Sequence, residues 1–496
     1  IVGSEGTEVL GNQITKSAWV GVEIQDSEEI LVDGNIIDMA GDGVLSEESD
    51  KIKITGNTIK GATFDGIDVD DGEEITVTGN TVSGSGDNGV ELENVEDALV
   101  DDNTITGGVV GVKVADSEDV LVGDKDGDND SGNTITGSET GVQVDDSDDV
   151  EVVDNTISKV DNGVVANSSE DIQIADNDIT GSSTIGIDVD DSESADIDNN
   201  IVTHFDIGIQ VTDSDLADIE GNTVTDTTGN GIEVSGSGLV DVLDNLVGDK
   251  SGKTKIGGDA INIASSLGAD VRGNTVWNAV GDGIELTSSD SAIVGGLGKG
   301  DGNDINDVGG HGIASFFGTS PDIIGNDVDG AGLNGIHLQN GSDAQVRSNN
   351  VDNTGGAGIQ SNGNFDIQIT DNEVGTDAGD GNIGGDGIDV NGSDSADVLT
   401  NTVHNTKGHG ISINPSDKVN VIGNDIHNAG IDGINALDSD ELLIEDNDIF
   451  AKAVAFSGGT KGAERDGIQV TGGEDVKIHN NRIKGDTEFF SSGAPG

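Results

Sequence analysis

The chain has no cysteine and no tyrosine, one methionine, three prolines and only 2% aromatic residues among 496. With no cysteine, the redox compartment cannot be read from thiol usage. Bases are scarce too: 21 Lys and Arg stand against 97 Asp and Glu, a formal net charge of −76. A surface of that sign repels nucleic acid, anionic membranes and polyuronate chains, and it attracts cations. No run of about 18 apolar residues occurs, so no segment reads as a bilayer span. The chain opens at Ile1, without methionine or a signal-like segment, and reads as a processed or trimmed form. Strong acidity with few aromatics can mark disorder. The regular recurrence of Val and Ile argues against it here.

What the chain does have is glycine, 79 of them, and a repeat. Asn-x-(Ile/Val) occurs at Asn12, Asn35, Asn57, Asn80, Asn103, Asn133, Asn155, Asn177, Asn199 and Asn222. It continues at Asn245, Asn274, Asn303, Asn326, Asn349, Asn372, Asn401, Asn424, Asn447 and Asn481. A second marker, Gly before Val or Ile, keeps step from Gly21 and Gly43 to Gly467, with Ala260 in the glycine slot once. Most intervals are 22 or 23 residues. Such a period points to stacked units, because one unit this short cannot bury its own apolar face.

The stretch 186–202, GIDVDDSESADIDNNIV, shows the unit. Ile187 with Val189, Ala195 with Ile197, and Asn199 with Ile201 mark three short period-two strands separated by turn residues. No helical period occurs. The expected fold is therefore all-β: a single parallel solenoid of about 20 coils over residues 1–484, with 485–496 as a cap or linker. The asparagine is expected to do two things at once. It would take the left-handed conformation of a tight turn, and its amide would bond the equivalent amides one coil above and below.

These repeats resemble the right-handed parallel β-helix repeats of the carbohydrate-binding and sugar-hydrolase family. The likeness is nearest to non-catalytic bacterial and archaeal surface proteins and runs from about Asn12 to Ile483. It implies a right-handed helix. It does not select an activity, because that family spans lyases, hydrolases, epimerases, tailspikes and non-catalytic surface proteins.

Seven residues beyond the repeat glycine lie Glu28, Asp50, Glu73, Glu96, Glu118, Asp148, Glu170, Glu193 and Asp215. The series resumes at Asp394, Asp417, Asp440 and Glu474. Stacked about 4.8 Å apart, neighbouring carboxylates repel by about 1 kcal/mol even at the dielectric of water. A sequence that repeats the arrangement is expected to live with cations that neutralise it. Calcium, taking six to eight oxygens in loose geometry, suits such turns, and bulk salt would act by screening.

Asp124, Asp126, Asp128 and Asp130 alternate along VGDKDGDNDSGNTITG (122–137) like the first half of an EF-hand loop. Asn129 stands where that loop needs glycine, and Ile135 where it needs the bidentate glutamate. The segment is read as a calcium-binding insertion in a coil, with Asp301 in GKGDGND as a second candidate.

Catalysis has a competing candidate. Asp386, His409 and Asp432 fill one slot, just before the repeat glycine, on three consecutive coils. Two carboxylates flanking a histidine are suited to acid–base work on a polysaccharide. His404 and His427 also share a slot, which suggests a pinched metal. Trp277, Phe316, Phe317 and Phe365 fall where the acidic series lapses, a place for a partner contact. A row of Thr58, Thr81, Thr104, Thr134 and Thr156 raises ice or mineral binding as a third idea.

The sequence thus favours a non-catalytic extracellular or cell-surface protein: an adhesin, surface-layer or filament component stabilised by calcium or high salt. Its expected partners are divalent cations, polysaccharide or further copies of itself. Nucleic acid and membrane insertion are excluded. The alternative is a polysaccharide-processing hydrolase, lyase or epimerase on the same scaffold.

Overall fold

The computed structural model describes residues 1–124, 132–376, 382–451 and 466–485. Two compact units are present, Ile1–Gly258 and Asp259–Gly496. Each is built from short parallel strands and, among the described residues, contains no helix. Of the expected cap, 485–496, residues 486–496 lie outside the described residues, as do residues 125–131 of the insertion.

In the first unit each coil has three strands. Val22–Gln25 pairs in parallel with Val44–Glu47, Leu31–Asp33 with Lys53–Thr55, and Ile36–Asp38 with Thr58–Lys60. In some coils the first two strands run together around the corner, as in Ile67–Thr78 and Val90–Asp101. The second unit repeats the plan, for example Ile388–Asn391 on Ile411–Asn414 and Thr402–His404 on Asp425–His427. Parallel pairing with period-two side chains places one set of residues inward on every coil.

The inward set is almost entirely Ile and Val. Ile187, Val189, Ile197 and Val202 are fully buried, and each such side chain contributes about 1.5–3 kcal/mol. The repeat glycine is required by close approach. At Gly66 a Cβ would lie 2.3 Å from Val82 Cγ1 and 2.5 Å from the Gly89 carbonyl oxygen.

Asparagine forms the expected ladder, with one correction. Asn177 donates its backbone N–H and side-chain amide to Oδ1 of Asn200, not Asn199, at 3.0 Å each. Ile179 is accordingly opposite Val202, while Ile201 is half exposed. The left-handed turn residue is Asn199, with φ of 54°. The two jobs expected of one asparagine are therefore split between neighbours. A left-handed residue (Gly34, Gly56, Asp102, Asp154 or Asn199) comes first, and the buried ladder asparagine follows it.

A second ladder went unread in the sequence. Ser27, Ser49, Ser117, Ser147, Ser169, Ser192 and Ser214 are buried. Each accepts the backbone N–H of the preceding coil and donates to a carbonyl two residues back: Ser169 N–H to Ser192 Oγ at 3.1 Å, Ser192 Oγ to the Asp190 carbonyl at 3.0 Å. The sequence signal was available, since each serine directly precedes a residue of the acidic series.

Candidate cation-binding columns and carboxylate clusters

The acidic series occupies the corner that the serines anchor. Around Ser27 and Glu28 the backbone is left-handed at Asp26 (φ 51°) and Glu29 (φ 56°), and around Ser117 and Glu118 at Asp116 (47°) and Asp119 (54°). Short polar side chains carry that conformation best. The inward serine tethers the corner, and the next side chain faces solvent. The result is a column.

Glu5, Glu28 and Asp50 are bridge partners in turn, and Glu73 N–H donates to Asp50 Oδ1 at 3.1 Å. Glu73, Glu96, Glu118, Asp148, Glu170 and Glu193 then follow in register. Asp215 continues the column through Ser194 N–H, which donates to its carbonyl at 3.1 Å. All are exposed. In the second unit Asp394, Asp417, Asp440 and Glu474 form a similar run, each backbone N–H donating to the carboxylate before it at 3.2, 3.0 and 2.6 Å. Phe365 takes the column position above Asp394 and is about half exposed, at 52%.

Of the insertion, Asp124 is described; Asp126, Asp128 and Asp130 lie outside the described residues. Asp124 sits near Asp154, whose carboxyl is pushed up by burial first and then by the charges of Asp124 and Asp176. Asp301 accepts the Gly298 N–H at 3.0 Å and so closes its own turn.

Asp386, His409 and Asp432 are brought together as the slot implies. His409 N–H donates to Asp386 Oδ1 at 2.6 Å, and Asp466 N–H to Asp432 Oδ1 at 2.8 Å. Asp432 N–H and Oδ2 each lie 3.3 Å from His409 Nδ1. Nδ1 accepts the Asp432 N–H. The same tether recurs where no catalysis was expected. Asp282 accepts from His311 N–H at 2.5 Å, and Asn334 accepts from Ala357 N–H at 2.8 Å. The slot is a backbone-tethering column.

Two carboxylate clusters were missed. Asp42, Asp65 and Asp68, and separately Asp259, Asp282 and Glu285, bring one oxygen from each residue within 4.8 Å of the others. Both join the slot before the glycine on two coils to the residue three positions further on. The signals were the D-G-I-D of Asp65–Asp68 and the D-G-I-E of Asp282–Glu285. Burial pushes the Asp65 carboxyl up to about 6 and that of Asp68 up to about 7, with the charge of Glu91 adding to both. Burial likewise raises Asp282 to about 7, opposed by the His311 N–H bond and assisted by Asp259 and Glu285.

Two pairs of histidines pack ring on ring. His311 and His337 stack at 4.5 Å, and burial followed by the neighbouring ring brings His311 down to about 4. His404 and His427 stack at 4.9 Å and His427 on Phe450 at 4.5 Å, while His427 Nε2 lies 2.8 Å from Asp425 Oδ1. The threonine row is in register from Thr58 to Thr156.

A family model described as "Right handed beta helix region" matches residues 88–247, 140–297, 259–382 and 380–493, most of the chain. The chain belongs to the right-handed β-helix family. A second model, "Periplasmic copper-binding protein (NosD)", matches residues 1–124 of this β-helix. No curated protein matches it. Among solved structures, a periplasmic alginate epimerase is similar at 11% identity, covering 76% of this chain and 78% of that one, with a TM-score of 0.36. A DFA-IIIase from Arthrobacter chlorophenolicus A6 is similar at 12%, covering 61% and 83%, with a TM-score of 0.38. A bacteriophage CBA120 tailspike protein is similar at 13%, covering 70% and 56%, with a TM-score of 0.35. At these identities and TM-scores the likeness carries no argument about this chain.

Copper does not fit the segment matched by the second model. Residues 1–124 contain no histidine and no cysteine, and the one methionine, Met39, is exposed. Copper sites are built from imidazole, thiolate and thioether ligands, whereas carboxylates suit calcium and magnesium.

Proposed function

We propose that this β-helix is a non-catalytic structural protein outside the cytoplasm, whose acidic columns are neutralised by calcium or, at high ionic strength, by salt. The reading rests on one observation: exposed carboxylates stand in register from Glu5 through Glu193 and on to Asp215. Like charges directly opposite one another destabilise a sheet, and lysine offsets the column at Lys51–Glu28, 2.6 Å apart. Hard divalent ions with oxygen ligands remove the repulsion. The match of residues 1–124 to a periplasmic family model supports the location. The role would be that of an adhesin, surface-layer or filament component, meeting polysaccharide or neighbouring copies.

Asp386, His409 and Asp432 need no substrate to account for them, because each accepts a backbone N–H. Equilibrium dialysis against calcium tests the proposal. Several ions per chain are expected, at dissociation constants of about 0.1–1 mM as in extracellular modules. Fewer than one ion per chain throughout that range would contradict it.

A further inference from the structure

On the second strand of the coils in residues 29–121, one outward column reads Leu31, Lys53, Thr76, Leu99 and Leu121, paired in register. The same column continues as Glu151, Gln173, Asp196 and Asp218. The fold therefore accepts polar residues at this position, and the leucines are not needed to form it. Leu31, Leu99 and Leu121 are nonetheless partly exposed, the last two on adjacent rungs. They floor a groove of about 700 Å³. An apolar floor with a polar rim suits an amphipathic side chain.

The rim is acidic. Glu29, Glu74, Asp97 and Asp119 line it from left-handed turn positions, φ 54–57°. Lys51 lines it from the equivalent position, and its ammonium is paired with Glu28 at 2.6 Å. The lining thus sets four carboxylates against two lysines, one of them, Lys51, already paired with Glu28.

We propose that this groove docks an extended peptide segment bearing lysine or arginine side chains. The match is one of charge and of shape. Lysine and arginine lay an aliphatic stem on apolar surface while the charged head reaches outward, which is what leucine below and carboxylate beside would receive. The protein's field favours the encounter. A cationic amino-sugar chain carries the same charge, but sugar platforms use exposed aromatic rings, and the groove has none.

The test is fluorescence anisotropy of a labelled peptide of alternating lysine and leucine, in calcium-replete buffer, with circular dichroism confirming each variant's fold. Leu99→Asp with Leu121→Asp separates this docking from diffuse attraction, because it adds negative charge while removing the floor. Docking predicts that affinity falls about tenfold; unchanged or tighter binding overturns it. Leu99→Thr with Leu121→Thr, which keeps β-forming residues, should fall similarly. Asp97→Asn with Asp119→Asn should weaken binding by about tenfold, while Asp241→Asn with Asp244→Asn should change it less than twofold. Equal losses for the two pairs, or capture of a glucosamine oligomer with no capture of the peptide, would overturn the proposal.

Discussion

Asn200 donates both its backbone N–H and its side-chain amide to Oδ1 of Asn222, at 2.9 and 3.0 Å, while its amide also reaches the Ile174 carbonyl at 2.7 Å. One side chain thus satisfies buried polar groups on three coils. Asn199, next to it, makes the turn. Asn200→Ala is expected to destabilise the protein by about 3 kcal/mol or more, because Asn177 N–H loses its acceptor and the Ile174 carbonyl its donor. Asn199→Gly should be neutral or slightly stabilising, as glycine accepts positive φ freely. Denaturant melts of the two variants check this; equal losses would contradict the division of labour.

The pH dependence should run opposite to that of an ordinary acidic protein. Burial raises Asp68, Asp198 and Asp282 to about 7 and Asp65 and Asp218 to about 6. The folded state therefore binds more protons than the unfolded state between about pH 4 and pH 7, and stability falls as pH rises through that window. Below the unfolded value near 3.9 the contribution is fully present. Asp68→Asn and Asp282→Asn should each raise stability at pH 8 and flatten the profile. Thermal melts from pH 4.5 to pH 8.5 measure it, and a profile rising toward pH 8 in metal-free, low-salt buffer would contradict it.

His409 offers a direct separation of tether from catalyst. In the equivalent slot Asn334 accepts Ala357 N–H through Oδ1 at 2.8 Å. His409→Asn should therefore preserve stability to within about 0.5 kcal/mol, whereas His409→Ala should cost about 1–3 kcal/mol by leaving Asp432 N–H without its acceptor. A stability loss for His409→Asn as large as that for His409→Ala would contradict the tether.

Much of this was legible in the sequence, for a physical reason. A solenoid turns a sequence interval into a spatial stack, so Glu118, Asp148 and Glu170 fall into one column by counting from a glycine. What counting missed is the relation between columns. Asp65 and Asp68 meet Asp42 only because the slot before the glycine and the strand residue three further on are neighbours across coils, which no single column reveals. The serine ladder was missed because an inward serine looks like turn composition. The asparagine register slipped at Asn199 because Asn-Asn followed by Ile-Val satisfies the motif in two frames. Only the burial of Val202, with Ile201 outside, selects one.

Cation dependence of the melting temperature tests the central claim most directly. At pH 7.5 and low salt, calcium at a few millimolar is expected to raise the midpoint by many degrees over a chelated sample. Sodium chloride should recover part of that gain by screening, because the Debye length falls to about 3 Å at 1 M. A midpoint indifferent to calcium, chelator and salt would contradict the account.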